Sequence, residues 1–157
     1  MSALLLIVAM ITYAIAYGAV IYQHIVEFPN WKKDIPHSLV LFRAFFKYAG
    51  FGKFFKIFMP VSSISLLIAI FLAWNHPHEA NIWTALSMAG LIITAAFTNI
   101  YFIPRHKKLF TEETQTNDAE LKIIATQWGK GNILRIIIMT VTLASFLEAL
   151  STILVNK

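Results

Sequence analysis

Residues 127–136 read QWGKGNILRI and run directly into IIMTVTLASFLEALSTIL at residues 137–154. Trp128, Asn132 and Arg135 are spaced four and three residues apart, which puts them on one face of a helix. The apolar stretch that follows approaches the length of about 20 residues that a helix needs to cross a bilayer. The pattern predicts a helix that enters a membrane with an indole, an amide and a guanidinium in line on one face.

The composition extends this prediction to the whole chain. Of its 157 residues, 58% are hydrophobic and 13% are charged, and the charged fraction is about half that of a typical soluble domain. A soluble core of this size could not bury so much apolar surface, so we interpret the chain as an integral membrane protein in contact with the lipid bilayer. The absence of cysteine excludes disulfides, thiolate metal sites and cysteine nucleophiles.

Four apolar stretches are long enough to span a bilayer, at about residues 3–23, 54–74, 82–103 and 133–154. We therefore predict an all-α fold, an integral membrane four-helix up-down bundle that forms a single transmembrane domain over residues 1–157. Pro36 and the apolar residues after it predict an interfacial helix over 36–49, between spans one and two. Asn117 or Asp118 is expected to cap a cytoplasmic extension of span four.

The distribution of lysine and arginine predicts the orientation of the bundle. Basic residues crowd the segments between spans one and two and between spans three and four, whereas the connection NHPHEAN between spans two and three has none. The positive-inside rule then places both basic segments in the cytoplasm and both termini outside, in what we expect to be a bacterial plasma membrane. This bias also accounts for the net charge of +5. Since no recognition motif accompanies the charge, no nucleic-acid partner is predicted.

Polar side chains from three spans are predicted to meet at the cytoplasmic end of the bundle. The set comprises His24 and Glu27 after span one, Asn99 and His106 at the end of span three, and Trp128, Asn132 and Arg135 before span four. Polar groups at membrane depth are costly unless paired, so each is a candidate functional residue. Each residue also has a possible structural role. Arg135 either extends to the lipid headgroups or pairs with Glu27, and Trp128 anchors the helix at the membrane interface. Asn99 and Asn132 form hydrogen bonds between helices.

Three further features have alternative interpretations. His24 and Glu27 reverse the Glu-x-x-His spacing of di-iron bundles, but the other carboxylates that such a site needs are missing, so no metal is predicted. Glu148 lies inside span four, where we expect it to be protonated, paired or in a wet crevice. The phenylalanines between residues 42 and 58 either pack at the interface or line a substrate entrance.

The polar residues after span three and before span four also carry a resemblance to a known family. The chain has Asn99, Pro104 and Leu109, followed by Trp128-x3-Asn132-x2-Arg135. This resembles the anthrone oxygenase-like family of small four-helix membrane proteins, whose pattern is an Asn, a Pro, a second Asn and a Leu, then Trp-x3-Asn/His-x2-Arg near the last span. The chain departs from that pattern after Pro104, where Arg105, His106 and Lys107 stand and a second Asn is expected.

The resemblance implies a chemistry as well as a fold. Some members are associated with the oxidation of anthrones to anthraquinones by O2 without an evident metal or flavin, so no cofactor is expected. In such a site His24 or His106 would be the base, and Arg135 with Asn132 would stabilise the oxyanion. Trp128 would stack on the rings of an apolar aromatic or quinone-like molecule, with Asn99, Glu27 and Arg43 as further contacts to the substrate.

Three functions therefore remain open from the sequence. The chain is a membrane oxidoreductase of this kind, a binding or transport protein for a lipophilic small molecule, or a structural subunit whose polar face meets a partner. Small residues such as Gly18, Gly90 and Ala95 permit tight helix contacts within one chain or between the chains of a homo-oligomer.

Overall fold

The computed structural model describes residues 2–72, 78–111 and 117–155, and the side chains of all of these except Ser2 and His78. Within these ranges the chain forms helices and no strand, which confirms the predicted all-α class. The elements are α1 (Ser2–Tyr22), π1 (Gln23–Glu27), α2 (Phe28–Lys32), α3 (His37–Phe45), α4 (Phe51–Leu72), α5 (His78–Phe97), π2 (Thr98–Phe102), α6 (Ile103–Phe110) and α7 (Asp118–Val155). The first residues of the NHPHEAN connection, with His76, lie outside the described residues.

Four continuous helical runs are long and apolar enough to cross a membrane, as predicted: Ala3–Lys32, Phe51–Leu72, Glu79–Phe110 and Asp118–Val155. The first and third extend well beyond the predicted spans, because helix continues through π1 into α2 and through π2 into α6. Asn117 caps α7 as expected, since its Oδ1 accepts a hydrogen bond of 2.8 Å from the backbone N–H of Glu120.

The two π-helical segments have the same local cause. Pro29 follows π1 and Pro104 follows π2, each at the start of the next α-helix. A proline has no N–H to donate to the carbonyl four residues earlier, and its ring would collide with that carbonyl in a regular α-helix. Those carbonyls belong to Ile25 and Ile100, at the middle of the two π segments. Widening one turn relieves the collision without ending the helix.

The predicted interfacial helix is present as α3, shorter than the predicted 36–49. It packs against α2 and α6. Arg43 fastens it there, because its Nε and Nη2 both donate to the backbone oxygen of Leu109, at 3.0 and 2.7 Å. One end of the bundle, which we call the basic end, contains α2, α3, α6, both π segments and the first half of α7.

The four long helices form an incomplete ring. α1 packs closely on α4, α5 packs closely on α7, and α1 and α7 join these two pairs. α4 and α5 contact each other far less, so the ring is loose between spans two and three. This gap continues to the basic end, where it becomes the cavity described below.

Two apolar clusters hold the bundle together. One lies among α1, α4, α5 and α7 and contains Leu6, Tyr13, Leu66 and Phe146. The other lies at the basic end and is rich in aromatic rings, with Trp31, Phe102 and Trp128 at its centre. Many large apolar side chains elsewhere on the long helices are exposed, as expected of a surface in contact with lipid.

Candidate functional site

Arg135 is the polar residue that the fold buries most unexpectedly, with only 5% of its surface exposed. Its Nη2 donates to Gln23 Oε1 at 3.2 Å and, over a short distance, to Asn132 Oδ1. Its guanidinium carbon lies 4.2 Å from the centre of the Phe102 ring, a cation–π contact. The Nε atom is buried and has no hydrogen-bond partner among the described residues.

The partners of Arg135 are all neutral. Within residues 2–72, 78–111 and 117–155, no carboxylate forms an ion pair with it, and Glu27, the partner considered from the sequence, does not. Removing an ion from water costs several kcal/mol, of which hydrogen bonds to amide oxygens return only part. The site therefore holds an uncompensated positive charge and an unused N–H donor.

Asn132 holds the guanidinium in place. It is fully buried, accepts from Arg135 through Oδ1, and donates through Nδ2 to the backbone oxygen of Val20 at 3.4 Å. It thus links α7 to α1 at the level of the arginine. Its side chain stands beside Arg135 and is not among those that line the cavity.

Trp128, one turn earlier on α7, contacts His106 of α6. The indole Nε1 donates a hydrogen bond of 3.1 Å to Nε2 of His106. An indole nitrogen can only donate, so Nε2 must carry the lone pair and a neutral ring must carry its proton on Nδ1. Trp128 is itself buried. The centre of its ring lies 5.5 Å from that of Phe28 and 5.3 Å from that of Trp31, and its side chain is not among those that line the cavity.

A cavity of about 620 Å³ opens between α4 on one side and α5, π2 and α6 on the other. Its buried floor contains Gln23, Arg135 and Met139, and its wall includes His106 and Phe102. The remaining lining is mostly apolar or small: Val20, Phe51, Gly52, Phe55, Met59, Pro60, Thr94, Ala95, Thr98, Ile103, Phe110 and Thr111, with Asn99, Lys56 and Lys107 at exposed positions.

The predicted residues divide into three groups. His106, Arg135 and Asn99 line the cavity, with Asn99 exposed and its Nδ2 bonded to the backbone oxygen of Ala95 at 2.8 Å. Asn132 lies behind Arg135 and Trp128 lies behind His106, and neither side chain lines the cavity. The other three, His24, Glu27 and Arg43, lie at the basic end but do not line the cavity. The ring of His24 stacks on that of Phe28, with 5.8 Å between the ring centres, and its buried Nδ1 has no partner within the described ranges.

Two other sequence interpretations can be placed in the structure. Over the described part of the chain, no group of three or more histidine and acidic residues is arranged to hold a metal ion. The side chain of Glu148 is exposed on the outer surface of α7, away from the bundle interior. Of the predicted phenylalanines, Phe42 packs against Trp31 and Phe110, whereas Phe51 and Phe55 line the cavity.

Gln23 and Phe102 are site residues that the sequence reasoning missed. Gln23 accepts from Arg135, and Phe102 supplies the ring beneath the guanidinium. A signal was present, because QHIVEFP at 23–29 and TNIYFIP at 98–104 both place a proline six residues after the first residue of a π segment. π-helical turns occur frequently at functional sites, so the two proline patterns could have marked both residues.

Comparison with the sequence models of protein families matches residues 50–145 to a family described as anthrone oxygenase. The match covers more than half of the chain. It includes the Trp128, Asn132 and Arg135 face and all of the cavity lining except Val20 and Gln23. His24, Glu27 and Arg43 also lie outside it. No curated protein and no solved structure matches the chain.

Proposed function

The chain belongs to the anthrone oxygenase family, and from this premise we propose that it is a membrane enzyme that oxidises a fused-ring phenol of the anthrone type to the quinone with O2. The observation that carries the proposal is Arg135, a buried cation at the floor of an apolar cavity, which has no carboxylate partner among the described residues. A ligand that becomes an anion there would supply the missing negative charge.

The cavity suits such a ligand in size and lining. Its volume of about 620 Å³ falls within the range of about 300–1,000 Å³ that is usual for small-molecule sites. Phe51, Phe55 and Phe102 offer aromatic surface to a planar ring system. The polar groups are few and converge on the floor, which is the arrangement that orients an apolar molecule by one oxygen.

The reaction needs an anion of the substrate as its first intermediate. Loss of a proton from the methylene group of an anthrone gives a resonance-stabilised anion. Its charge is shared between the carbonyl oxygen and the carbon that lost the proton. The anion gives one electron to O2, and the substrate radical and superoxide combine to a peroxide anion at that carbon. This anion takes up one proton and becomes a hydroperoxide. Loss of water then leaves a second carbonyl, so one oxygen atom of O2 enters the quinone and the other leaves as water.

Arg135 and His106 are proposed to stabilise this anion. Arg135 has an unused N–H, and a neutral His106 whose Nε2 accepts from Trp128 carries its own N–H at Nδ1. Two donors at a developing oxyanion form the arrangement that lowers the barrier in such reactions. His106 is therefore given the role of a donor and not of the base suggested by the sequence, and the proton leaves to water at the open side of the cavity.

The test is turnover of 1,8-dihydroxyanthrone by the purified protein in nanodiscs, with O2 consumption and quinone absorbance both recorded above the protein-free rate. Arg135→Met should lower the enzyme-dependent rate by about 10²–10³-fold, the cost of losing an oxyanion donor. The matched control is Arg105→Met, since Arg105 lies at the same end, stacks on Tyr101 at 3.6 Å and does not line the cavity.

Two outcomes would contradict the proposal. Equal turnover by the Arg135→Met variant and the unsubstituted chain would show that the buried cation is not used. Tight binding of the anthrone with no O2 consumption would indicate instead a carrier for lipophilic aromatic molecules, which is the alternative that the same cavity permits.

A further inference from the structure

Three of the described residues that line the cavity carry a positive charge. None of its described lining residues is Asp or Glu. Besides Arg135 at the floor, Lys56 projects from α4 and Lys107 from α6, so the two lysines stand on opposite walls. Both are exposed, which places them at the open side, away from the buried arginine.

These two lysines differ from a neighbour that does have a protein partner. Lys108, next to Lys107 on α6, forms an ion pair of 2.7 Å with Glu120 at the start of α7. Neither Lys56 nor Lys107 has a carboxylate within ion-pair distance in the described parts of the chain. Their charges therefore remain available to a ligand in the cavity.

Apolar side chains share the lining of the cavity with the charged groups. Arg135 is buried at the floor, the lysines are exposed, and Phe51, Phe55 and Ile103 belong to the lining along with them. A ligand that matches this pattern has an apolar body with one acidic oxygen at the leading end and a second anionic group at the trailing end. An anthrone without a further acidic group supplies the leading oxygen but has no anionic group at the trailing end.

We propose, on the basis of the function proposed above, that the substrate is an aromatic acid: a fused-ring phenol whose reacting oxygen lies at Arg135 and whose carboxylate is bound by Lys56 and Lys107. The lysines thus determine specificity without taking part in the oxidation. Because exposed ion pairs are weakened by salt, the preference for the acid should decrease as ionic strength rises.

The experiment compares two oxidised and therefore unreactive probes, anthraquinone-2-carboxylate and anthraquinone, by titration of the full chain in phosphatidylcholine nanodiscs. The acid should bind more tightly to the unsubstituted protein. Lys56→Met and Lys107→Met should each lower the affinity for the acid by up to about fivefold. The affinity for the uncharged quinone should not change. Lys130→Met is the matched control, an exposed lysine at the same end of the bundle but outside the cavity.

Each result bears on the proposal separately from catalysis, because neither probe can be oxidised further. Equal affinity of the two quinones, or an equal loss in Lys130→Met, would overturn it. Repeating the titration with phosphatidylglycerol in the nanodisc identifies the source of the anion: if the preference for the acid disappears, the lysines bind lipid phosphate and the proposal fails. A retained preference in a protein that consumes no O2 would overturn the proposed oxidation and keep the aromatic acid as ligand.

Discussion

Arg135 is stabilised by groups that do not neutralise it. Gln23 and Asn132 each contribute an amide oxygen and Phe102 contributes the face of its ring. Charge-assisted hydrogen bonds and cation–π contacts compensate for part of the lost hydration, but the net charge stays. A carboxylate in the place of either amide would satisfy the guanidinium more completely and would remove the reason for an anionic ligand to bind.

Asn132→Asp tests this argument because it changes one atom beside Arg135. The new carboxylate loses the 3.4 Å hydrogen bond that Asn132 Nδ2 donates to the backbone oxygen of Val20, but it should pair with the guanidinium. Because the buried ion pair outweighs that long hydrogen bond, the thermal unfolding temperature should stay the same or rise. Turnover of the anthrone should fall by about 10²-fold, because the oxyanion site would already hold an anion. Differential scanning fluorimetry and O2 consumption measure the two effects. A variant that keeps full turnover with a raised unfolding temperature would contradict the assignment of Arg135.

The protonation site of His106 gives a second prediction at this scale. In a protein labelled with 15N-histidine, the His106 ring should show a protonated Nδ1 and an unprotonated Nε2, because Nε2 accepts from the indole of Trp128. Trp128→Phe keeps an aromatic ring but removes the donor, so the Nε2 signal should shift towards the protonated form.

Trp31→Phe is the control for that measurement. Trp31 belongs to the same aromatic cluster, at 5.3 Å from Trp128, and makes no hydrogen bond to His106. The His106 signals are identified by their loss in His106→Gln. Identical spectra for Trp128→Phe and the unsubstituted protein would mean that the indole does not select the tautomer.

At the scale of the helices, two glycines decide how closely α7 approaches its neighbours. A Cβ on Gly129 would collide with the ring of Phe28, and a Cβ on Gly131 would collide with the ring of Tyr101. Phe28 is held by Trp31 and Trp128, and Tyr101 by Phe97 and Phe102. A methyl group on either glycine would displace a ring that packs on two aromatic neighbours, so the glycines allow α7 to lie against the turns around π1 and π2.

Gly129→Ala and Gly131→Ala should therefore destabilise the fold, although alanine is the better helix former. Overpacking costs about 1–3 kcal/mol, more than the roughly 0.5–1 kcal/mol gained in helix propensity. Gly18→Ala is the control, because its added methyl meets no atom within 4 Å, and it should be neutral or stabilising. Thermal unfolding in the same detergent compares the three, and an unchanged unfolding temperature in both α7 variants would refute the close packing.

These elements show where sequence reasoning succeeded and why it stopped. The four apolar spans, the cap at Asn117 and the interfacial helix follow from local patterns of hydropathy and capping, and the structure has all of them. The two glycines on α7 have low helix propensity, yet the helix continues through both. The π segments were not predicted, since the predicted spans end at about residues 23 and 103, whereas helix continues past Pro29 and Pro104.

At the scale of the whole molecule, the position of the cavity depends on which helices are neighbours. Hydropathy identifies spans but does not say that α1 pairs with α4 and α5 with α7, with little contact between α4 and α5. That arrangement places Lys56 and Met59 of α4 opposite His106, and no local pattern links them. Gln23 was not predicted as a site residue for the same reason, because its partner Arg135 lies more than 100 residues later in the chain.

The orientation of the bundle is a prediction that the absence of cysteine makes straightforward to test. Single cysteines at Asn75, Gln115 and Asn156 would report on the connection between spans two and three, the connection between spans three and four, and the C-terminus. By the positive-inside rule, Asn75→Cys and Asn156→Cys should react with a membrane-impermeant maleimide in intact cells, and Gln115→Cys only after permeabilisation.

The outcome determines from which side the cavity receives its ligand. The cavity lies at the basic end, with Lys107 and Thr111 in its lining close to the connection that Gln115 reports on. Protection of Gln115→Cys in intact cells would mean that an aromatic acid made inside the cell reaches Lys56 and Lys107 without crossing the membrane. Labelling of Gln115→Cys from outside, with Asn156→Cys protected, would reverse the bundle and require the ligand to arrive from the opposite compartment.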